Sequence, residues 1–574
     1  MSFRTGLALL VGTALAACSS ITAEQASVET AQAPLPAGAV SAADPRAQAA
    51  GEEILRQGGS ATDAAIAVML ALTVVEPQSS GIGGGGFYLY SQGDGNVVSL
   101  DGREAAPAGA TPNWFIGPDG ERLQFGEAVG TGLSAGVPGN IALAAEAHRR
   151  HGKLDWATLF APAISLAEQG FEMNPRLHNS LGQSDTRAGN SAEARAIYYD
   201  ADGQPLPVGS TVVNRPLAAT LRTIATGGPR AFYTGASASR IARTIAEATP
   251  AGRQPMQVGD VESYAVKDRQ PVCGMYRAYK ICGMGPPSSG GVAVLQILGQ
   301  LERFDLASLG MDNPVTWHLF VESQRLAYAD RELYIGDDDF VSVPVRGLVD
   351  PAYLARRSAL IDPGGTLAQA EAGTPPGASQ ALADGEEGPE AGTSHFSVAD
   401  GIGNVVSWTS TIESAFGSGL MVDGYYLNNE LTDFSFVPEI DGNPVANRVE
   451  GGKRPRSSMA PTIVFDPQGE PLFVVGAAGG GTIPVQTARS IIGVIDFDLS
   501  VEEAIGMPFI MAFGDSILLE RGTWLETSAE RFRALGHSDL QIRGAPVKAG
   551  AILRTAQGWT TARDPRLSGQ LVAP

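Results

Sequence analysis

GTSHFSVADGIGNVVSWTSTI, residues 392–412, has the pattern of a β-hairpin. Phe396 and Val398 alternate with polar neighbours, Asp400-Gly401-Ile402-Gly403-Asn404 supplies the turn, and Val405–Ile412 is the returning strand. The stretch before it is of another kind. Residues 363–392 contain no Lys, Arg or aromatic residue but seven glycines and four prolines. That composition buries too little apolar surface to order itself, so a flexible linker is expected. An ordinary link between domains would look like this, and so would a cleavage site at the foot of a strand.

The junction residue gives the second reading its chemistry. If the Gly392–Thr393 bond breaks, Thr393 gains a free α-amine. Such an amine titrates at about 7.7–8.0, close to what a base needs at neutral pH, and it sits on the same residue as the hydroxyl it would activate. The branched side chain keeps that hydroxyl aimed, and Gly392 allows the preceding backbone a geometry open to attack.

Composition narrows the alternatives. The 574 residues are 44% hydrophobic, enough for a large core, and 71 of them are glycine without a collagen-like period. The formal charge is −21, with only five lysines, a poor fit to nucleic acid or to an anionic lipid surface. Three cysteines and six histidines, with no H-E-x-x-H and no paired C-x-x-C, exclude metal catalysis through those motifs. No metal ligand and no cofactor is expected.

The N-terminus reads as an address. Residues 1–17, MSFRTGLALLVGTALAA, have a basic start and a short apolar run, as a signal peptide does. Leu15-Ala16-Ala17-Cys18 resembles the bacterial lipobox, which would lipidate Cys18; a plain signal peptide with a chance cysteine is the alternative. Ser19 after the cysteine resembles outer-membrane sorting, so an exported, lipid-anchored periplasmic protein is expected, with a flexible tether over residues 18–40. Export permits disulfides. Cys273 and Cys282 flank what reads as two short strands and a turn, and their pairing is expected, with two reduced buried cysteines as the alternative.

Residues 41–362 interleave helical patterns (Ala42–Arg56, Ala61–Val75, Ile141–His148, Trp156–Glu168, Pro216–Ala225, Ser237–Glu247, Val292–Leu301, Val315–Tyr328) with strand-like runs (Phe87–Ser91, Val97–Leu100, Gln270–Cys282). This indicates a layered α/β or α+β fold. Ser60 and Asp63 form a capping box for the apolar helix Ala61–Val75. His148 and His151 read as solvated helix surface. Gly81–Gly86 formally fits G-x-G-x-x-G but lies between a helix and a following strand, the wrong order for a dinucleotide, and reads as close backbone packing.

The hairpin sequence, together with LNNELTDF (427–434), KRPRSSMAPTIV (453–464) and GAAGGGTI (476–483), resembles the γ-glutamyltransferase (γ-glutamyl transpeptidase) family of Ntn hydrolases. So do GGSATDAAIAV (58–68), PQSSGIGGGGF (77–87), DGREAAP (101–107), GVPG (136–139) and PPSSGGVA (286–293). The resemblance runs from about residue 41 to about residue 570. It implies an α+β fold, the four-layer αββα Ntn-hydrolase sandwich. Residues 41–392 would form a large subunit and 393–574 a small one, cut from one precursor and remaining associated. Thr393 would be the nucleophile for self-cleavage and for turnover, Thr411 its orienting partner, and Gly479 and Gly480 the oxyanion-hole pair. Arg103, Ser457 and Ser458 would hold a substrate α-carboxylate, and Glu413, Glu430 and Asp433 its ammonium. Glu413 stands where many members carry Asn. The stretch Phe434–Arg456, where a lid would lie, is short and has no Tyr, so an aromatic lid is not expected and the pocket would admit larger substrates. His395 beside Thr393 takes a structural role.

The implied reaction is hydrolysis of γ-glutamyl amides such as glutathione, or transfer of the glutamyl group to an amino acid or peptide amine. A related Ntn acylase acting on glutaryl-cephalosporins or poly-γ-glutamate is the alternative, but a glutaryl group has no ammonium for the three acids to meet. An uncleaved surface-binding lipoprotein is the remote one.

Overall fold

The computed structural model describes residues 38–378, 381–385 and 392–568. The expected signal peptide, Cys18 and nearly all of the tether lie outside them, as do residues 379–380 and 386–391 of the expected linker. Twelve strands make the frame: β1 (Ala39–Ala42), β2 (Gly85–Ser91), β3 (Val98–Gly102), β4 (Lys267–Asp268), β5 (Val272–Tyr276), β6 (Tyr279–Gly283), β7 (Ser394–Ala399), β8 (Val405–Thr411), β9 (Thr462–Phe465), β10 (Pro471–Ala478), β11 (Lys548–Thr555) and β12 (Gly558–Arg563). They form two six-stranded antiparallel sheets, in the orders β1-β7-β8-β2-β3-β4 and β12-β11-β10-β9-β6-β5. The sheets face each other where β7 and β8 pack on β10, and β7 on β11.

Helices cover both outer faces. On the first sheet lie α1 (Pro45–Arg56), α2 (Ala61–Val75) and α3 (Asn140–His151), with α4 (Ala161–Gln169) packed on α2 and α5 (Arg215–Gly227) on α4. On the second lie α6 (Gly290–Leu301) and α8 (Ile483–Ile495), with α7 (Pro314–Tyr334) packed on α6. The fold is the expected four-layer αββα sandwich. Each sheet combines strands from before and after Thr393, with β7 and β8 held between β1 and β2 in the first and β9 paired with β6 in the second, so the two expected subunits would share one body. Helix α2 explains why: it is buried along its whole length, and its Ser60–Asp63 capping box, a cap typically contributing about 1 kcal/mol, fixes the end it cannot present to water.

Several expectations change. The first helix begins at Pro45, after an Asp44 cap, because Ala39–Ala42 is a strand paired with β7. The tether therefore stops short of residue 40. The hairpin 394–411 forms around the expected turn, with Ala399 opposite Val405, and both sides of β7 are buried. Phe396 and Val398 join the core under the helices, while His395 and Ser397 turn towards the second sheet. There His395 bonds Thr409 Oγ1 and Ser397 Oγ at 2.9 Å, and Ser397 Oγ donates to the Val474 carbonyl. Burial holds the His395 imidazole down to about 3, so it stays neutral. The linker is tied down over its first half: Leu367 N donates to Glu322, Tyr334 to the Gly373 carbonyl and Arg357 to the Glu371 carbonyl. These bonds to its backbone add to the packing of Leu367, Ala370, Ala372 and Ala378 against the core. His151 is not simply solvated; its ring stacks on Tyr90 at 3.9 Å. Cys273 stands opposite Cys282 across the β5–β6 hairpin, and the two form a disulfide.

Candidate active site

Thr393 stands at the foot of β7 beside the last residue of β8. Its Oγ1 donates to Thr411 Oγ1 at 3.1 Å, and Thr411 Oγ1 also accepts the Glu413 N–H at 2.8 Å. The Thr393 N–H donates to the Ser79 carbonyl at 2.9 Å. Strain sits on the threonine itself: its φ is 93°, a left-handed value costly for a β-branched residue, at about 1–3 kcal/mol. Gly392 is required for a different reason. A Cβ there would lie 1.6 Å from the Glu413 carbonyl oxygen, so no side chain fits. Gly84, in the glycine run, is similarly pressed on the Thr411 carbonyl, where a Cβ would stand at 1.9 Å. That run is a bed for β8, as its position implied.

Arg103 leaves the end of β3 and is buried. Its Nη2 donates to Asp433 Oδ2 at 2.5 Å and to the Arg456 carbonyl at 2.9 Å, its Nη1 pairs with Glu430, and its Nε reaches the Pro455 carbonyl at 3.3 Å. The anchor expected for a carboxylate and two acids expected for an ammonium thus hold one another, as buried opposite charges must. A zwitterion entering between them gives each a partner of the same sign as the one it loses. Glu413 is bound by Ser414 Oγ at 2.5 Å and by Asn429. Ser457 Oγ accepts the Met459 N–H at 3.1 Å, and Ser458 Oγ accepts Arg331 Nη2 at 2.7 Å.

These groups converge. Arg103, Gly392, Thr393, Thr411, Glu413, Glu430, Asp433, Ser457, Ser458 and Gly480 line one cavity of only about 10 Å³, room for about one water. A second cavity of about 1220 Å³ lies beyond Gly392, which borders both. Gly479 faces this larger space rather than the smaller one, so the expected glycine pair straddles the two. Both glycines have positive φ, 119° and 57°, and lead through a short 3-10 turn into α8, an arrangement that exposes N–H groups at a helix start. Phe434 and Phe436 do not cover the site; Phe436 stacks on Phe115 at 4.1 Å in a separate core.

Sequence reasoning missed three elements of this site. Arg331 on α7 aims Ser458 and, through Nε, Ser289 Oγ at 2.9 Å. Glu104 is wholly buried beside Arg103; burial, against the pull of Arg103, pushes its carboxyl up to about 7, and burial likewise raises Glu430 well above the usual carboxylate range. Lys548 touches the Thr393 carbonyl at 3.1 Å. Its only signal was scarcity, one lysine of five, set in an apolar strand.

The sequence pattern of the family described as Gamma-glutamyltranspeptidase matches residues 47–573. The glutathione hydrolase proenzyme of Bacillus subtilis (strain 168) is 38% identical over 482 residues, covering 82% of this chain and 80% of that protein. The crystal structure of cephalosporin acylase from Bacillus halodurans superposes with a TM-score of 0.81 at 27% identity, over 94% of this chain and 96% of that one. The Helicobacter pylori gamma-glutamyltranspeptidase structure gives a TM-score of 0.54 at 36% identity, over 57% of this chain and 93% of that one.

Proposed function

We propose, starting from the fact that this chain belongs to the gamma-glutamyltranspeptidase family, that Thr393 is its nucleophile and that the Arg103–Glu430–Asp433 cavity is its glutamyl site. The enzyme is a γ-glutamyltransferase and glutathione hydrolase of the Ntn-hydrolase class, made as a precursor and processed into two subunits. One observation carries the substrate reading: a buried guanidinium and two carboxylates line the same cavity as Thr393 Oγ1, the charge pattern of an amino acid's α-carbon.

Maturation begins at the strained junction. Thr393 Oγ attacks the Gly392 carbonyl carbon, the peptide nitrogen leaves as the Thr393 amine, and water hydrolyses the resulting ester. Departure of Gly392 joins the small cavity to the large one. In turnover Thr393 Oγ attacks the γ-carbonyl of the substrate while the α-amine takes its proton. The N–H groups at Gly479 and Gly480 meet the oxyanion, one such donor typically contributing about 2.7–4 kcal/mol. The amine then protonates the leaving amine, and water or an acceptor amine releases the glutamyl ester. The 1220 Å³ space and the absence of a covering aromatic among residues 434–456 favour bulky leaving groups and peptide acceptors.

Processed enzyme is expected to release p-nitroaniline from γ-glutamyl-p-nitroanilide, faster when glycylglycine is present. Enzyme that is cut but ignores this anilide while hydrolysing a glutaryl amide would move the assignment to the acylase alternative. That alternative leaves the acids facing Arg103 without a role.

The run ending at Ala17-Cys18-Ser19 supports a lipid anchor on the periplasmic side of the outer membrane. Cells given labelled palmitate are expected to label the wild-type chain, and Cys18→Ser to lose the label and appear in the soluble periplasmic fraction. Equal labelling of both would refute the anchor.

A further inference from the structure

Lys548 opens β11 and is buried. Its Nζ has four oxygens within reach: the Glu76 carboxylate, Ser394 Oγ at 2.9 Å, the Thr393 carbonyl at 3.1 Å and Ser79 Oγ at 3.3 Å. Glu76, just past the end of α2, is shared. Its other oxygen pairs with Arg176, whose Nη2 donates to Ser79 Oγ at 3.2 Å. Ser79 closes the circle, since its carbonyl takes the Thr393 N–H. Two cations thus lean on one carboxylate, beside both ends of the Thr393 backbone. Burial, then the repulsion of Arg176, lower the Lys548 ammonium, while the Glu76 carboxylate and the three other oxygens around Nζ hold its charge. Burial opposes the Glu76 charge, but Arg176 and Lys548 outweigh it and hold that carboxyl at about 2.

We propose that Lys548 is a positioning residue: together with Arg176 it keeps the amine freed on Thr393 unprotonated and turned towards its own hydroxyl. The proposal rests on Thr393 being the nucleophile. Once the Gly392–Thr393 bond is cut, the amine lies against the Ser79 carbonyl. Unperturbed, it would titrate at about 7.7–8.0 and be largely protonated at neutral pH. An adjacent cation excess disfavours that second positive charge and lowers the value. The opposing charges are Asp44, which attracts Lys548 from the start of α1, and the acids of the cavity. Of those, Glu430 and Asp433 are countered by Arg103, and Glu413 is turned to Ser414 and Asn429. His395, next along β7, is neutral and adds nothing. Lys548 also pins the carbonyl end of Thr393 while Ser79 pins the nitrogen, so the amine cannot swing away from the hydroxyl.

The test is the pH profile of kcat/KM for γ-glutamyl-p-nitroanilide, on enzyme shown by gel to be cut. Lys548→Met is expected to move the acid limb up by about 1 pH unit or more, and Lys548→Arg to bring it back towards the wild-type position. Arg176→Gln is expected to move it in the same direction by less, its side chain being 33% exposed. A lysine that serves only packing would lower kcat/KM at every pH and leave the limb in place, and that result overturns the proposal. If Lys548→Met is not cut, Arg176→Gln decides alone, and an unmoved limb there overturns it equally. A wild-type chain that stays uncut instead refutes the assignment of Thr393, before any variant is compared.

Discussion

Thr393→Ala is expected to yield one uncut chain on a denaturing gel where the wild type gives two fragments, and to lower kcat/KM for γ-glutamyl-p-nitroanilide by roughly 10⁴-fold or more. No neighbouring hydroxyl can take over. Ser394 Oγ donates to Glu76 at 2.8 Å, and Thr411 Oγ1 is held by the Glu413 N–H. Alanine removes the group that attacks Gly392 and the group that carries the glutamyl ester, so one substitution stops both events. Thr393→Ser separates them from simple loss of shape. It keeps the hydroxyl but loses the methyl that fixes χ1, and slower cutting with reduced turnover is expected. A Thr393→Ala chain that still appears as two fragments would show that the junction is cut by another group and would remove Thr393 from maturation.

Much of this site was readable because its residues sit in contiguous runs whose local physics is self-sufficient. The capping box at Ser60 and Asp63, the hairpin turn at Asp400–Asn404 and the glycines around 479 each specify their own backbone. Motif resemblance then supplied roles that spacing alone does not. What stayed hidden depends on partners far apart in the chain. Lys548 meets Glu76 across 472 residues, and Arg331 meets Ser458 across 127. What His395 and Ser397 meet was not legible, because alternation does not distinguish water from a second sheet carrying its own acceptors. The linker misled through composition: its first half is held by backbone hydrogen bonds, which apolar content does not register. The raised carboxyl of Glu104 follows from its burial, a property of the assembled pocket and of no single segment.

Arg103→Leu is expected to damage binding and folding together, and pH separates the two. Arg103 is the one cation among the residues lining the small cavity, set against Glu413, Glu430 and Asp433. Its removal would take away the fork proposed to meet the substrate carboxylate and would strip Glu430 and Asp433 of the guanidinium that pairs with them. Truncating one partner of such a buried pair costs about 2–5 kcal/mol, so KM is expected to rise by at least about 30-fold. Stability is expected to fall by about 3–5 kcal/mol at neutral pH. The deficit should shrink on acidification. Glu104 and Glu430 already sit above their unfolded values, and without Arg103 they rise further. A group raised in the folded state carries no penalty while both states are protonated, and the penalty grows as pH climbs through the folded value. The melting temperature of Arg103→Leu should therefore lie further below wild type at pH about 8 than at pH about 5. A deficit that does not change with pH would mean that Arg103 acts by packing and not by charge. Arg103→Lys keeps the charge but loses the two-pronged geometry, so most of the stability should return while KM stays high. If KM recovers as well, a point charge suffices, and carboxylate recognition by the guanidinium fork is wrong even though the ion pair is right.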